Sequence, residues 1–361
     1  MEQYSKEAQR AVIFLDSFRE LDYKYKLAVL MEVGDPAKLY ESRNRIVYIL
    51  EKALGSGKAS ALLQRLVPEG EEEVLFSLKK AGIMPVTRKN KYYPDALEQT
   101  TAPPLVLYTK GNLELLKNRK FSIVGSRKTP VAETRLTEEF SEKIADYMTV
   151  VTGTAEGADA AVIRGALKKK NVISVFASGL DTFYPECNRG LLSAVSENGL
   201  ILSEYPPGVP ALKFHFPVRN RIIAGLSEGT LVVSAREKSG ALYTASYAAT
   251  YNRDVYAFPY KVGDAAGKGC NALIKQGATL CDGAEDLLSA YGFEVEDRAP
   301  ELPLTDEEKK ILSFLREEEL SADVIAEKTD IPVFLLLPAL SSLEISGHIV
   351  KAGADSYRAL K

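Results

Sequence analysis

A chain of 361 residues has room for two or three domains with a sizeable core, and 46% hydrophobic with 26% charged residues is the make-up of an ordinary soluble globular protein. The net charge is −3, no apolar run approaches the roughly 18–20 residues of a membrane helix, and MEQYSKEAQR lacks the basic-then-apolar layout of a signal peptide. Three scattered cysteines (Cys187, Cys270, Cys281) and two histidines (His215, His348) offer no metal-ligand spacing. A cytoplasmic protein with free thiols is expected, with no metal, no cofactor and no membrane partner.

Residues 1–82 read as helical throughout. Apolar positions recur at helical spacing in Ala11–Phe18, Ile46–Leu54 and Leu62–Leu66, with Gly34-Asp35-Pro36 and Gly55-Ser56-Gly57 as punctuation. A small SAM-like helical domain fits this pattern, in a scaffold or interaction role. Gly82–Leu116 reads as a connector with short strands at Met84–Thr87 and Leu105–Tyr108.

A regular alternation follows. Apolar runs at Phe121–Val124, Thr149–Val151, Val172–Phe176, Leu200–Leu202, Thr230–Val233, Val255–Phe258 and Ala278–Leu280 read as buried strands, with helical patterns between most of them. That alternation predicts an α/β fold, a doubly wound and mostly parallel sheet covered on both faces. Ligands in such sheets bind beyond the carboxyl ends of the strands.

Those ends carry small and polar residues: Gly125-Ser126-Arg127-Lys128, then Gly153 through Gly157 to Asp159, then Ser178-Gly179-Leu180-Asp181. Glycines let backbone N–H groups approach a phosphate closely. No GxGxxG or GxxxxGK[ST] pattern accompanies them. Lys117, Arg119, Lys120, Arg127 and Lys128 add five cations with no acid between Leu116 and Val131.

The stretch Phe214–Ala245 organises the chain. Phe216-Pro217 predicts an extended entry, after which Arg219-Asn220-Arg221 opens a helix whose free N–H groups favour an anion. The strand at Thr230–Val233 then runs through Ser239-Gly240 into a second helix carrying Thr244. Leu212–Lys261 holds seven Lys/Arg against three acids, a local balance of +4. Phe214, Phe216 and Tyr184 supply candidate faces for base stacking.

Residues 298–303 (RAPELP) read as a linker, and 304–361 as a winged helix. Its helices are Leu304–Leu315, Ser321–Lys328 and Pro332–Ser346, and Gly347–Leu360 supplies the wing. Pro338 predicts a kink or break in the third helix. That helix has no Lys or Arg, and Glu301–Lys361 holds twelve acids against seven Lys/Arg. Such a surface opposes phosphate, so a protein-interaction or regulatory role is expected. The domain reading is therefore 1–82, 83–297 and 304–361.

Taken together, these motifs resemble the DNA-processing protein A (DprA/Smf) family over residues 83–290. The matching stretches are YYPDAL (Tyr92–Leu97), APPLVLYTKGN (Ala102–Asn112), IVGSRKTP (Ile123–Pro130), GTAEGADAA (Gly153–Ala161) and SGLDTFYPECN (Ser178–Asn188). They continue with SEYPPG (Ser203–Gly208), FPVRNRIIAGLS (Phe216–Ser227), SGALYTASYA (Ser239–Ala248) and GKGCNALIKQGA (Gly267–Ala278). The resemblance implies a Rossmann-like core that binds single-stranded DNA, usually as a homodimer, and delivers it to the RecA recombinase during natural transformation. It places Gly125, Ser126, Arg127, Phe216, Arg219, Asn220 and Arg221 at the DNA, with Ser239, Gly240 and Thr244 nearby. Lys128, Gly153, Gly157 and Gly179 join them from the strand-end argument. Glu156, Ile163 and Ser234 stand where the family often has Arg, His and Glu, and Tyr260 where it often has Gly. Glu156 replaces a cation with an acid, and Ser234 removes a carboxylate that would orient an arginine.

The competing class is a Rossmann-like nucleotide-processing enzyme of the nucleoside monophosphate hydrolase type. Its chemistry needs a carboxylate beside the sugar, and Asp159, Asp181 and Glu204 are the candidates. With no nucleophile–base pair in view, a non-enzymatic binding protein is the expected class.

Overall fold

The computed structural model describes residues 3–294, 304–352 and 356–360. The chain divides into two compact units, Met1–Phe293 and Glu294–Lys361. The linker at 298–303 and part of the expected wing, 353–355, lie outside the described residues.

The first unit opens with five helices: α1 (Lys6–Ser17), α2 (Tyr23–Val33), α3 (Arg43–Leu54), α4 (Ser56–Arg65) and α5 (Pro68–Lys80). The Ser5 hydroxyl accepts from the Ala8 N–H at 3.1 Å and so caps α1, which buries Ala8, Ala11, Val12, Phe14 and Leu15. Gly34 and Gly55 end α2 and α3 at φ of 78° and 79°, where a side chain would strain the backbone. These helices are tied to the residues that follow by buried polar contacts. Asp16 accepts from the Tyr108 hydroxyl at 2.9 Å and from Lys26 Nζ at 3.1 Å.

The sheet of this unit has nine strands: β1 (Met84–Thr87), β2 (Val106–Gly111), β3 (Lys120–Val124), β4 (Thr149–Thr152), β5 (Val172–Val175), β6 (Leu200–Ser203), β7 (Gly229–Val232), β8 (Asp254–Ala257) and β9 (Thr279–Leu280). Their order is β1-β2-β6-β5-β4-β3-β7-β8-β9. From β6 to β9 every pairing is parallel, while β2 runs antiparallel to both β6 and β1. Every residue of β3, β4, β5, β6 and β7 is buried. Successive side chains point to opposite faces, so both faces are covered.

A short α6 (Asp95–Glu98) lies between β1 and β2. Helices α7 (Val131–Ala145), α8 (Ala158–Leu167), α9 (Arg189–Asn198), α10 (His215–Leu226), α11 (Ala241–Thr250), α12 (Lys268–Lys275) and α13 (Ala284–Ala290) follow β3 to β9 in turn. The chain steps outward from β3 through β4, β5 and β6. It then returns by α10 to β7, on the other side of β3, and proceeds to β8 and β9. This is the doubly wound Rossmann-like arrangement, and its direction reverses between β3 and β7.

One expectation is corrected here. Helix α10 begins at His215 and takes in Phe216-Pro217, so Phe216 is not extended and Arg219 does not open the helix. Pro217 is the third helical residue, and the N–H it lacks is one that has no intrahelical partner in any case. Arg219, Asn220 and Arg221 therefore stand in the second turn, past the free amides.

The second unit contains α14 (Asp306–Leu315), β10 (Leu320–Ser321), α15 (Ala322–Thr329), α16 (Val333–Ile345), β11 (Ile349–Lys351) and β12 (Ser356–Ala359), with strand order β10-β12-β11. Thr305 and Glu308 form a reciprocal capping box on α14. Of the kink or break expected at Pro338, the break does not occur, and α16 runs as one helix through that residue. Leu336 on one side and Leu340 and Leu343 on the other are buried in the same core, which holds both halves in register.

Candidate nucleic-acid interface

Strands β3 and β7 lie side by side in parallel, with Val124 opposite Val232, and the Val233 N–H still donates to the Val124 carbonyl at 3.0 Å. Beyond that point the two chains part, one towards β4 and the other towards β8. The crevice between them is where an open α/β sheet holds a ligand. A cavity of about 360 Å³ occupies it, walled by Gly125–Arg127 after β3, Arg236 and Lys238–Ala241 after β7, and Phe216, Arg219 and Asn220 from α10.

Close packing shapes the floor. A Cβ on Gly125 would come within 2.6 Å of the Ala158 Cβ and 2.8 Å of a Val233 methyl, so only glycine lets this loop pass α8. Ser234 accepts from the Ser126 N–H at 3.0 Å and lies 3.0 Å from the Thr129 hydroxyl, which itself donates to the Ser126 carbonyl. The serine found where a carboxylate was expected thus pins the β3 loop to the end of β7.

The two arginines facing the cavity differ in kind. Arg127 is exposed, and its guanidinium carbon sits 5.3 Å from the centre of the Phe216 ring, which is 5.6 Å from the Tyr184 ring. Arg219 is only 4% exposed. It donates to the Val175 carbonyl through Nη1 and to Asn220 Oδ1 through Nε at 3.1 Å, and Asn220 in turn donates to the Gly240 carbonyl at 3.2 Å. Arg219 therefore links the end of β5 through α10 to the start of α11, forming the base of the pocket. Burial lowers its pKa, an effect that neighbouring Asp159 opposes. Burial raises the Asp159 pKa against the pull of Arg219 and of the Ala155 N–H, which donates to Asp159 Oδ2 at 3.0 Å.

The other expected site residues divide. Ser239, Gly240 and Thr244 line the cavity, Thr244 buried and Gly240 facing open space. Gly153 packs beneath it against Asp159 and Arg219, and Gly157 packs against the Ser126 and Arg127 carbonyls. Lys128 is exposed on the same loop but is not part of the wall. Gly179 lies apart, where a Cβ would meet Asp181 Oδ1 and the Pro206 carbonyl, each at 2.6 Å. Arg221 also points elsewhere and pairs with Glu204.

Charge counting overstates the free cations. Lys117 pairs with Glu114 and Arg119 with Glu228, while the buried Lys120 ammonium donates to the Leu116 and Asn118 carbonyls. Burial pushes the Lys120 pKa down to about 8. Among the described residues Arg127, Arg236 and Lys238 enter no ion pair, and all three are exposed at the cavity. Arg236 and Lys238 were absent from the expected site. The signal for them is a charged run placed directly after a buried strand, in the turn already marked by Ser239-Gly240.

The family described as DNA recombination-mediator protein A matches residues 84–292, and the DprA winged helix domain matches residues 295–354. The chain belongs to the DNA recombination-mediator protein A family. It is 40% identical over 202 residues to the DNA processing protein DprA of Streptococcus pneumoniae, covering 56% of this chain and 72% of that one. With Protein Smf of Escherichia coli it shares 34% over 273 residues, covering 72% and 73%. The crystal structure of the S. pneumoniae protein superposes with a TM-score of 0.57 at 33% identity, covering 75% of this chain and 98% of that chain. A structure of DprA from Helicobacter pylori, described for its single-stranded DNA binding mode, gives 0.53 at 27% identity over 58% and 95%. Within the family match lie both loops that wall the cavity and the whole of α10. Among the described residues no helix is long and apolar enough to cross a membrane.

Proposed function

We propose that this protein binds single-stranded DNA in the crevice between β3 and β7 and hands it to the RecA recombinase in recombination, in the cytoplasm and as a homodimer. The observation that carries the reading is the exposed Arg127 guanidinium standing over Phe216, beside Arg236 and Lys238 on the facing loop. A guanidinium donates in a planar fork that suits a phosphate, and an aromatic ring offers a face to a base of any identity. The single-stranded DNA binding of the H. pylori relative supports the same reading. Two pockets on one dimer raise the effective concentration for the second contact with one strand. Natural transformation is the setting proposed for this activity.

The nucleotide-hydrolase reading keeps one carboxylate at the cavity, Asp159, and that group is engaged by the Ala155 N–H beside Arg219. Asp181 accepts from the Gly208 N–H at 2.8 Å, and Glu204 is held by Arg221. The binding reading accounts for more of the cavity wall.

A salt titration of binding to single- and double-stranded DNA tests it. Single strands should bind more tightly, with affinity falling steeply as salt rises. Equal affinity for both forms, or no salt dependence, overturns the reading. A strand-exchange assay in which single-strand-binding protein blocks the recombinase tests the handover, which fails if adding this protein leaves the block in place.

A further inference from the structure

A second cavity, of about 500 Å³, lies on the other side of the first turn of α10. Phe216 faces the crevice described above, whereas Phe214, His215 and Val218 line this one. Its rim is open to solvent and mixed: Phe214 is 65% exposed and Leu212 and Val218 more than a third exposed, and the exposed Arg19 and Asp22 also line it. One wall is a flat aromatic pair, Tyr205 stacked on His215 with ring centres 4.1 Å apart and planes 22° from parallel. The floor is polar. Glu204 lines it, with Oε2 engaged by Arg221, which does not line the cavity, and with Oε1 buried and lacking a hydrogen-bond partner.

Exposed apolar side chains at the mouth, an aromatic wall and one unfilled acceptor make a receptacle for a flat heterocycle that carries a donor. We infer that this cavity is a subsite for one nucleobase of the single strand held beside it, and that it favours cytosine or adenine over thymine. The inference rests on the single-stranded DNA reading above. Phe214 and Phe216 are two residues apart on one helical turn, so a strand leaving the crevice past Phe216 reaches this mouth within a few nucleotides. The exocyclic amino groups of cytosine and adenine can donate to a carboxylate oxygen. The only ring donor of thymine, its N3–H, lies between two carbonyl oxygens that a carboxylate repels. A shape that accepts any base with a modest preference is also compatible with a protein that must hold arbitrary sequence.

The test uses the full chain and fluorescence anisotropy with two labelled 20-mers, one all thymidine and one alternating thymidine and deoxycytidine. Binding of the thymidine strand tests the parent reading, and its absence sinks that reading rather than the subsite. Given that binding, the mixed strand should bind roughly 5-fold more tightly, the worth of one added hydrogen bond. Phe214→Ala, a change at an exposed position, should weaken both strands several-fold. Glu204→Gln should shrink the ratio of the two affinities, both measured on the same folded preparation. Equal affinity for the two strands in the wild type, or a Phe214→Ala variant that binds both normally, overturns the subsite. If Glu204→Gln does not fold, those two results still decide the matter.

Discussion

Arg221 grips Glu204 with 12% and 13% of their side chains exposed, and Arg221 Nη1 and Glu204 Oε1 are both buried without further partners. Two residues earlier, Arg219 reaches into the base of the crevice between β3 and β7 instead. The RNR run thus sends its two arginines to different places, and the second is engaged by a buried carboxylate. Removing Arg221 leaves the buried Glu204 carboxyl without its partner, which costs about 1–3 kcal/mol. Arg221→Ala should therefore lower the melting temperature by several degrees. At a temperature where the variant remains folded, its affinity for single strands should stay within a few-fold of wild type. A stable Arg221→Ala variant that has lost DNA binding would show that this arginine contacts the strand.

Arg127 is expected to behave in the opposite way. It is exposed, free of ion pairs among the described residues and stacked on Phe216. Arg127→Glu should leave the melting temperature unchanged and reduce affinity at least 10-fold, since it both removes and reverses a phosphate contact. Arg127→Lys keeps the charge but loses the planar fork, so it should bind at an intermediate level. Thermal melting and anisotropy on the same preparations separate the two effects, and normal binding by Arg127→Glu removes the crevice from consideration.

Much of this fold is legible in the sequence for a physical reason. Strands buried on both faces are written as continuous apolar runs, so β3 to β7 can be read directly from stretches such as Phe121–Val124 and Leu200–Leu202. The small residues after β3 and β7 likewise mark the crevice, whereas Gly179 after β5 lies apart from it. What local sequence does not encode is which cations remain free. Arg119 is neutralised by Glu228, 109 residues away, and Arg221 by Glu204, which lies just past the end of β6. Lys120 looks like one more positive charge in a basic loop, yet its ammonium is spent on two carbonyls. Pro217 misled for a related reason. The restriction before proline suggests an extended Phe216. A proline also fits the first turn of a helix, where its missing N–H has no intrahelical partner, and α10 places it there.

Burial raises the Glu204 pKa from 4.5 to about 7 against the attraction of Arg221. The folded state thus holds this proton more tightly than the unfolded chain does. The stability that protonation contributes is fully present below about pH 4.5 and is lost as pH rises towards 7. Glu204→Gln cannot ionise, so its stability relative to wild type should improve from pH 5 to about pH 7 and level off above it. Urea unfolding of both proteins across that range gives the difference directly and cancels groups that titrate alike in each. Parallel stability curves would mean that Glu204 titrates normally.

The glycines of the crevice divide between folding and binding. Gly125 has no room for a methyl group, since an added Cβ would stand 2.6 Å from Ala158 and 2.8 Å from Val233, so Gly125→Ala should cost about 1–3 kcal/mol through overpacking. Gly240 has helical backbone angles, φ −59° and ψ −28°, and nothing within 4 Å of an added Cβ. Gly240→Leu should fold normally and place its side chain at the cavity wall, reducing single-strand affinity. Denaturant titration ranks the two variants on stability and anisotropy ranks them on binding. Loss of binding in neither variant would argue that the strand does not enter the cavity.

The second unit should be dispensable for DNA binding. A winged helix that reads DNA inserts its third helix into the major groove and needs cations to meet the flanking phosphates. Here α16 has no Lys or Arg, and its first half turns Val333, Phe334, Leu335 and Leu337 to solvent, Phe334 with 74% exposure. An uncharged apolar surface of this kind gains nothing from a phosphate, and the surplus of acids from Glu301 to Lys361 adds repulsion. A chain ending near Arg298 retains every residue that walls the crevice. It should keep most of the single-strand affinity and the same salt dependence, measured side by side with the full chain. A large loss, with circular dichroism and melting showing the first unit still folded, would assign part of the DNA contact to the second unit or to the residues that join the two.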